Sequence, residues 1–144
     1  MTEKPRIQVA AALIERDGRF LIARRKEGVH LEGLWEFPGG KCEAGESFES
    51  CLQRELLEEL GIEITQPQLF MTHHHEYLEN SVELKFFFCS ILGGRPTPLG
   101  CAELCWVPVY ELHRYEFPPA DSPVLHCLVE MASRTPNSGS RTSP

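Results

Sequence analysis

The chain has 144 residues, 42% hydrophobic and 24% charged, and 14 Lys and Arg against 21 Asp and Glu leave a net charge of -7. A chain of this length forms one domain with a core of its own, without disulfides or a partner. Its acidity excludes a protein that holds DNA or RNA by neutralising backbone phosphates, but not one with a small anionic substrate, since local basic residues or a divalent cation can neutralise that contact.

Met1 to Arg6 is polar, with no apolar run of signal-peptide type, and no window approaches the roughly 18 apolar residues of a membrane span. Six cysteines without a CxxC pair fit a reducing compartment, so a cytoplasmic protein with no membrane partner is expected. Ile7, Val9, Ala11 and Leu13 alternate with the equally apolar Ala10, Ala12 and Ile14, the pattern of a strand covered on both faces. Asp17-Gly18 supplies a tight turn, and residues 7–25 read as a β-hairpin. Residues 26–47 carry Gly28, Gly33, Pro38, Gly39, Gly40 and Gly45 and read as a long functional loop.

Phe48 to Leu60 is predicted to be a helix, with Ser47 as N-cap and Gly61 just beyond its end. Strands are predicted at 68–77, 82–92 and 104–107, and a second helix at 122–133. The Ser-, Thr-, Pro- and Gly-containing residues 135–144 read as a disordered tail beyond a single domain at 1–134. This order implies a mixed sheet with helices packed on it, in the α/β or α+β class.

The first helix holds the strongest chemical signal. Phe48, Leu52, Leu56 and Leu60 form its apolar stripe. At about 100° per residue, Glu59 projects from inside that stripe and Glu55 and Glu58 flank it, whereas a solvated acidic face would lie opposite. The bland alternative is surface glutamates that favour helix and pair with Arg54. Three carboxylates at one buried edge repel one another, however, and a hard divalent cation such as Mg²⁺ or Mn²⁺ is the natural counter-charge for oxygen donors at this spacing. Pro38-Gly39-Gly40-Lys41 lets backbone approach a ligand closely, and Arg24, Arg25 and Lys41 stand near it in sequence as contacts for phosphate oxygens. Residues 43–63 contain seven of the 21 acids but one of the 14 basic residues, so most of the net charge is concentrated here.

From Gly40 the chain runs five residues to Glu46, seven more to Arg54-Glu55, and then Leu56-Leu57-Glu58-Glu59-Leu60-Gly61-Ile62. This resembles the Nudix box. The wider chain, through Trp35-Glu36-Phe37-Pro38-Gly39-Gly40-Lys41 to Phe117-Pro118-Pro119-Ala120-Asp121, is similar to the MutT branch of Nudix hydrolases. The resemblance implies an α/β/α sandwich around a mixed sheet and Mg²⁺-dependent hydrolysis of a nucleoside triphosphate to the monophosphate and pyrophosphate, with Mn²⁺ as a substitute metal. It implies metal binding by Glu55, Glu58, Glu59 and the carbonyl of Gly39, with Glu46 and Arg54 orienting that set. Arg25, Phe37, Lys41 and Asp121 are the expected substrate contacts. The implied role is nucleotide-pool sanitation of the 8-oxo-dGTP type, as a monomer or homodimer that binds no nucleic acid stably. The alternatives are a CTP, dCTP or 5-modified dCTP pyrophosphohydrolase and, in another class, a non-catalytic nucleotide-binding sensor.

Two positions depart from the pattern. MutT relatives often carry a further glutamate, as base or metal ligand, before the last strand, where this chain aligns Gly100; Glu103 is the nearest carboxylate and the substitute candidate, or else a plain strand-edge residue, in which case Glu58 or Glu59 serves as base. The residue ending the Phe-Pro-Pro-Ala motif is an asparagine in the 8-oxoguanine readers and Asp121 here, an acceptor when ionised where the amide both donates and accepts. Asp121 is otherwise the N-cap of the last helix. Phe86, Phe87 and Phe88 are split between base slot and core. His73, His74 and His75 alternate faces on a strand and do not converge on one ion.

Overall fold

The structure is a computed structural model and describes residues 4–134. Its elements are β1 (Arg6–Arg16), β2 (Arg19–Arg24), β3 (Trp35–Glu36), β4 (Gly39–Lys41), α1 (Phe48–Leu60), β5 (Glu63–Ile64), β6 (Gln68–Glu76), β7 (Ser81–Cys89), β8 (Ile91–Gly93), β9 (Glu103–Pro108), two 3₁₀ turns (Val109–Arg114 and Pro119–Asp121) and α2 (Ser122–Arg134). The expected tail at 135–144 lies outside the described residues.

Strand β1 organises the mixed seven-stranded sheet. On one edge it pairs in parallel with β7 from Arg6↔Ser81 to Ile14↔Cys89, and β6 closes that side antiparallel to β7. Its other edge is shared. Glu15 and Arg16 pair with β2 across the Asp17-Gly18 turn, whose positive φ angles of 55° and 77° suit a two-residue hairpin, while Val9 to Ala11 pair with β4. The hairpin predicted over 7–25 is thus ladder-paired only near its turn. β2 pairs with β9 along its whole length, from Arg19↔Pro108 to Arg24↔Glu103, and beyond the turn it leaves β1 and pairs with β3 at Ala23 and Arg24. Residues 35–41 cross this divergence, β3 lying against β2 and β4 against β1, with the Pro38 carbonyl accepting from Ala12 N at 2.7 Å. The expected loop at 26–47 therefore contains two short strands, and the strand expected at 82–92 breaks at Ser90, after which β8 pairs with β5.

The alternation along β1 and β2 divides the core between two faces. Ala10, Ala12, Ile14, Leu21 and Ala23 pack with Leu52, Leu56 and Leu60 of α1. Ala11, Leu13, Phe20 and Ile22 pack with Val124 and Leu128 of α2. Both faces of β1 are buried, as its doubly apolar pattern requires. The three α1 leucines are fully buried, at about 1.5–3 kcal/mol each, and they lock the acidic helix onto the sheet. Serine 47 caps α1 by accepting from Ser50 N at 3.0 Å, and Gly61 ends it in the left-handed region at φ 70°.

Candidate functional site

Arg54, on α1, is the hub of the box. Its Nε and Nη2 donate to the two oxygens of Glu46 at 2.7 and 2.9 Å, a bidentate pair that ties the loop before α1 to the helix. Its Nη1 reaches Glu55 at 3.0 Å and Glu58 at 3.2 Å, and Nη2 also donates to the Lys41 carbonyl at 3.1 Å. The Glu46 carboxyl, which also accepts from the backbone N–H of Glu43, is held down to about 2 by Arg54 first and that N–H second. Arg54 remains cationic, its pKa raised chiefly by the hydrogen bonds to Glu46. Together these residues fix the positions of two box glutamates.

The Glu55 carboxylate lies against the backbone of β4. A Cβ at Gly40 would be driven into that carboxylate, and one at Gly39 into the carbonyl oxygen of Ala10, so the two glycines are what lets the loop, β1 and the acidic helix meet. Burial raises the pKa of Glu55 despite Arg54. Glu59 is pushed further, to about 8, by burial first and then by the charges of Glu55 and Glu36, with Arg25 opposing. Arg54 does not contact Glu59, so that carboxyl lacks the guanidinium hydrogen bonds that favour the ionised forms of Glu46, Glu55 and Glu58. Carboxylate oxygens beside a closely approaching backbone are the donor type that suits a hard divalent cation such as Mg²⁺ or Mn²⁺, although among the described residues no three acidic, His or Cys side chains already converge as a ligand set. Glu55, Glu58 and Glu59 would hold it, with the Gly39 carbonyl a further donor on β4.

A second group lies on the α2 side. Phe37 is buried, with its ring centroid 5.3 Å from Phe117, 6.2 Å from Phe86 and 6.4 Å from Phe20. Of the phenylalanine run, Phe86 shares this face, whereas Phe87 belongs to the α1 core. Asp121 is buried where the 3₁₀ turn meets α2, and its carboxyl has no hydrogen-bond partner among the described residues. Burial first, then the charge of Glu36, raises it to about 7. A side chain capping α2 would instead accept from that helix's first N–H groups.

The remaining candidates sit further out. Lys41 is exposed, and its backbone carbonyl is what the Arg54 network uses. Glu103 is opposite Arg24 in the β2–β9 register and pairs with it at 2.8 Å, both side chains about half exposed. Gly100 stands directly at the helix: its N–H donates to the Glu59 carbonyl at 3.0 Å, and a Cβ there would meet Glu59 Cγ at 3.0 Å. Position 100, rather than 103, thus borders the inner glutamate. His73 and His75 share one face of the edge strand β6, with ring centroids 6.0 Å apart, while the intervening His74 is exposed.

Residues 9–127 match the model of the NUDIX domain. The chain belongs to the Nudix hydrolase family. The CTP pyrophosphohydrolase of Escherichia coli (strain K12) is 37% identical over 130 residues, spanning 90% of this chain and 96% of the relative. The 8-oxo-dGTP diphosphatase of Haemophilus influenzae is 35% identical over 128 residues, spanning 88% and 94%. Among solved structures, the E. coli ORF135 protein superposes with a TM-score of 0.78 at 36% identity, covering 92% of this chain and 95% of that one. The MutT protein of Methanosarcina mazei Go1 gives 0.78 at 27% identity, covering 92% and 99%. The fold is therefore the MutT-like Nudix fold, and among the described residues no helix is long and apolar enough to cross a membrane.

Within this Nudix domain, one acid was given no role by the sequence. Glu36 on β3 is half-buried and pairs with Arg25 at 2.8 Å, and its charge acts on both Glu59 and Asp121. Two residues of strand in a glycine-rich loop leave no periodicity to read. The only available signal was its place between Trp35 and Phe37 beside the box.

Proposed function

We propose that this Nudix hydrolase is a Mg²⁺-dependent pyrophosphohydrolase that converts a nucleoside triphosphate to the monophosphate and pyrophosphate, serving nucleotide-pool sanitation in the cytoplasm. The observation that carries this reading is Glu59, a half-buried carboxyl on the inner side of the acidic helix whose strongest charged neighbours are the carboxylates of Glu55 and Glu36. When bound, the metal supplies a more acidic water and neutralised phosphate oxygens. Glu55, Glu58 and Glu59 hold it, while Glu46 and Arg54 fix the approach of Glu55 and Glu58. Arg25 and Lys41 bind phosphate oxygens. Proton acceptance from the attacking water falls to a box glutamate, Glu58 or Glu59, in preference to Glu103, whose carboxylate is engaged by Arg24.

The base slot is formed at Phe37 and Asp121. A neutral Asp121 both donates and accepts, and so matches the O6 and N7–H of an 8-oxoguanine. A specific observation favours a second reading, a CTP, dCTP or 5-modified dCTP substrate: the same carboxyl matches the N3 and exocyclic amine of cytosine, and it retains an acceptor for that amine when ionised. The relative named CTP pyrophosphohydrolase supports this second reading.

Product analysis tests the reaction. With Mg²⁺ and a panel of canonical, 8-oxo and 5-modified nucleotides, the expected products are monophosphate and pyrophosphate. Chelation should remove activity to background, and Mg²⁺ or Mn²⁺ should restore it. Diphosphate with orthophosphate, or turnover that survives chelation, would contradict the assignment.

A further inference from the structure

Glu36 is an acid beside a site that must bind a polyanion, which calls for a compensating use. The fold holds it rigidly. Strand β3 is hydrogen-bonded to β2 in the register Ala23↔Glu36 and Arg24↔Trp35, and Trp35 N donates to the Glu116 carbonyl at 2.8 Å. Trp35 further packs edge-on against Tyr115, with centroids 5.2 Å apart. From this platform Glu36 Oε1 accepts from Arg25 Nη1 at 2.8 Å, with the two side chains only 26% and 29% exposed. Arg25 Nε donates to the His30 carbonyl at 2.6 Å, and the backbone of Arg25 is paired with Leu34 and Gly33. The guanidinium is thereby fixed through Nε and Nη1, while Nη2 has no hydrogen-bond partner among the described residues.

We propose that Glu36 is a positioning residue: through its ion pair it holds Arg25 so that the free Nη2 donors meet the phosphate oxygens of the substrate between the carboxylate cluster and the base slot. This rests on the nucleoside triphosphate reading above. The physical logic is preorganisation. An arginine on its own stem loses rotamer freedom each time it binds, whereas one already clamped by a carboxylate and a carbonyl does not. A partner that is shorter or lacks an acceptor oxygen would relieve repulsion toward the phosphates but would release the clamp, and the half-buried geometry implies that the clamp dominates.

The test is a double-mutant cycle read by equilibrium binding of an α,β-methylene nucleoside triphosphate with Mg²⁺, so that it does not depend on turnover. Glu36→Ala and Arg25→Ala are each expected to weaken binding by about 10-fold or more, the range of an outer-shell partner. The double variant should be no weaker than Arg25→Ala alone, and Glu36→Gln, which keeps an acceptor for Arg25, should recover most of the loss. In steady state the same variants should raise KM more than they lower kcat. Multiplying effects of Arg25→Ala and Glu36→Ala, or a Glu36→Ala loss that saturating Mg²⁺ restores, would overturn the proposal in favour of an action on the metal. Should Glu36→Ala fail to fold, Glu36→Asp takes its place. Weakened binding that is lost in the Arg25→Ala background supports the clamp, and unchanged binding overturns it. A wild type that binds the analogue but hydrolyses no triphosphate would refute the proposed reaction while leaving this cycle decisive.

Discussion

Glu59→Gln is expected to reduce pyrophosphate release at saturating Mg²⁺ on the order of 10³-fold or more, beyond the roughly 10–100-fold of an outer-shell residue. The expectation follows from its position. Arg54 satisfies Glu46, Glu55 and Glu58 within the protein, whereas Glu59 sits at the inner end of α1 with Glu55 and Glu36 as its strongest charged neighbours. Glutamine retains the shape and removes the charge, so the fold should survive. The metal-free variant should even match or exceed the wild type in thermal midpoint at pH 8, since it no longer confines an ionised carboxylate in a desolvated site. Turnover within about 10-fold of wild type would mean that the box glutamates share the work differently, with Glu55 and Glu58 sufficient.

The second large effect concerns which base is accepted. Asp121→Asn is expected to raise the kcat/KM ratio of 8-oxo-dGTP over CTP by about 10- to 100-fold, the discrimination of one well-placed pair of hydrogen bonds at about 1–3 kcal/mol. The amide offers a fixed donor and acceptor. The carboxyl changes character near neutrality, because burial and Glu36 hold it at about 7. Below that pH it is neutral and both donates and accepts; above it the carboxylate only accepts. The wild-type ratio should therefore change between pH 6 and pH 8, and that of Asp121→Asn should stay flat by comparison. Stability follows the same sign. A carboxyl raised from 3.8 to about 7 contributes stability that is complete below pH 4 and is lost as the pH rises through 7, so Asp121→Asn should flatten that decline. An unchanged substrate ranking at both pH values would remove Asp121 from base recognition.

Both predictions concern residues whose legibility in the sequence differed. Glu59 was readable because a helix has a fixed period: the leucines that bury α1 also set the direction of every carboxylate on it. Strand β1 was readable for the same reason, its two apolar sets each claiming one face of the sheet. The position of Asp121 came from a motif, but its burial did not, since it depends on α2 closing over Phe37 and Phe86. Glu103 looked available because its partner, Arg24, lies 79 residues away and meets it only through the β2–β9 register. Glu36 was hidden for a related reason. It sits where the chain crosses between β2 and β1, a divergence created by long-range pairing.

An acidic face of α1 that is a divalent-cation site makes thermal stability depend on Mg²⁺ and on pH together. Without metal, the Glu59 carboxyl is raised from 4.5 to about 8, so its contribution to stability is complete below pH 4.5 and is lost as the pH climbs through 8. Mg²⁺ binds the ionised form and must displace the proton. The rise in thermal midpoint produced by a fixed Mg²⁺ concentration should therefore grow from pH 6 to pH 8.5 in the wild type and be small at every pH in Glu59→Gln. A Mg²⁺ effect that is absent, independent of pH, or undiminished in Glu59→Gln would contradict a divalent-cation site on α1.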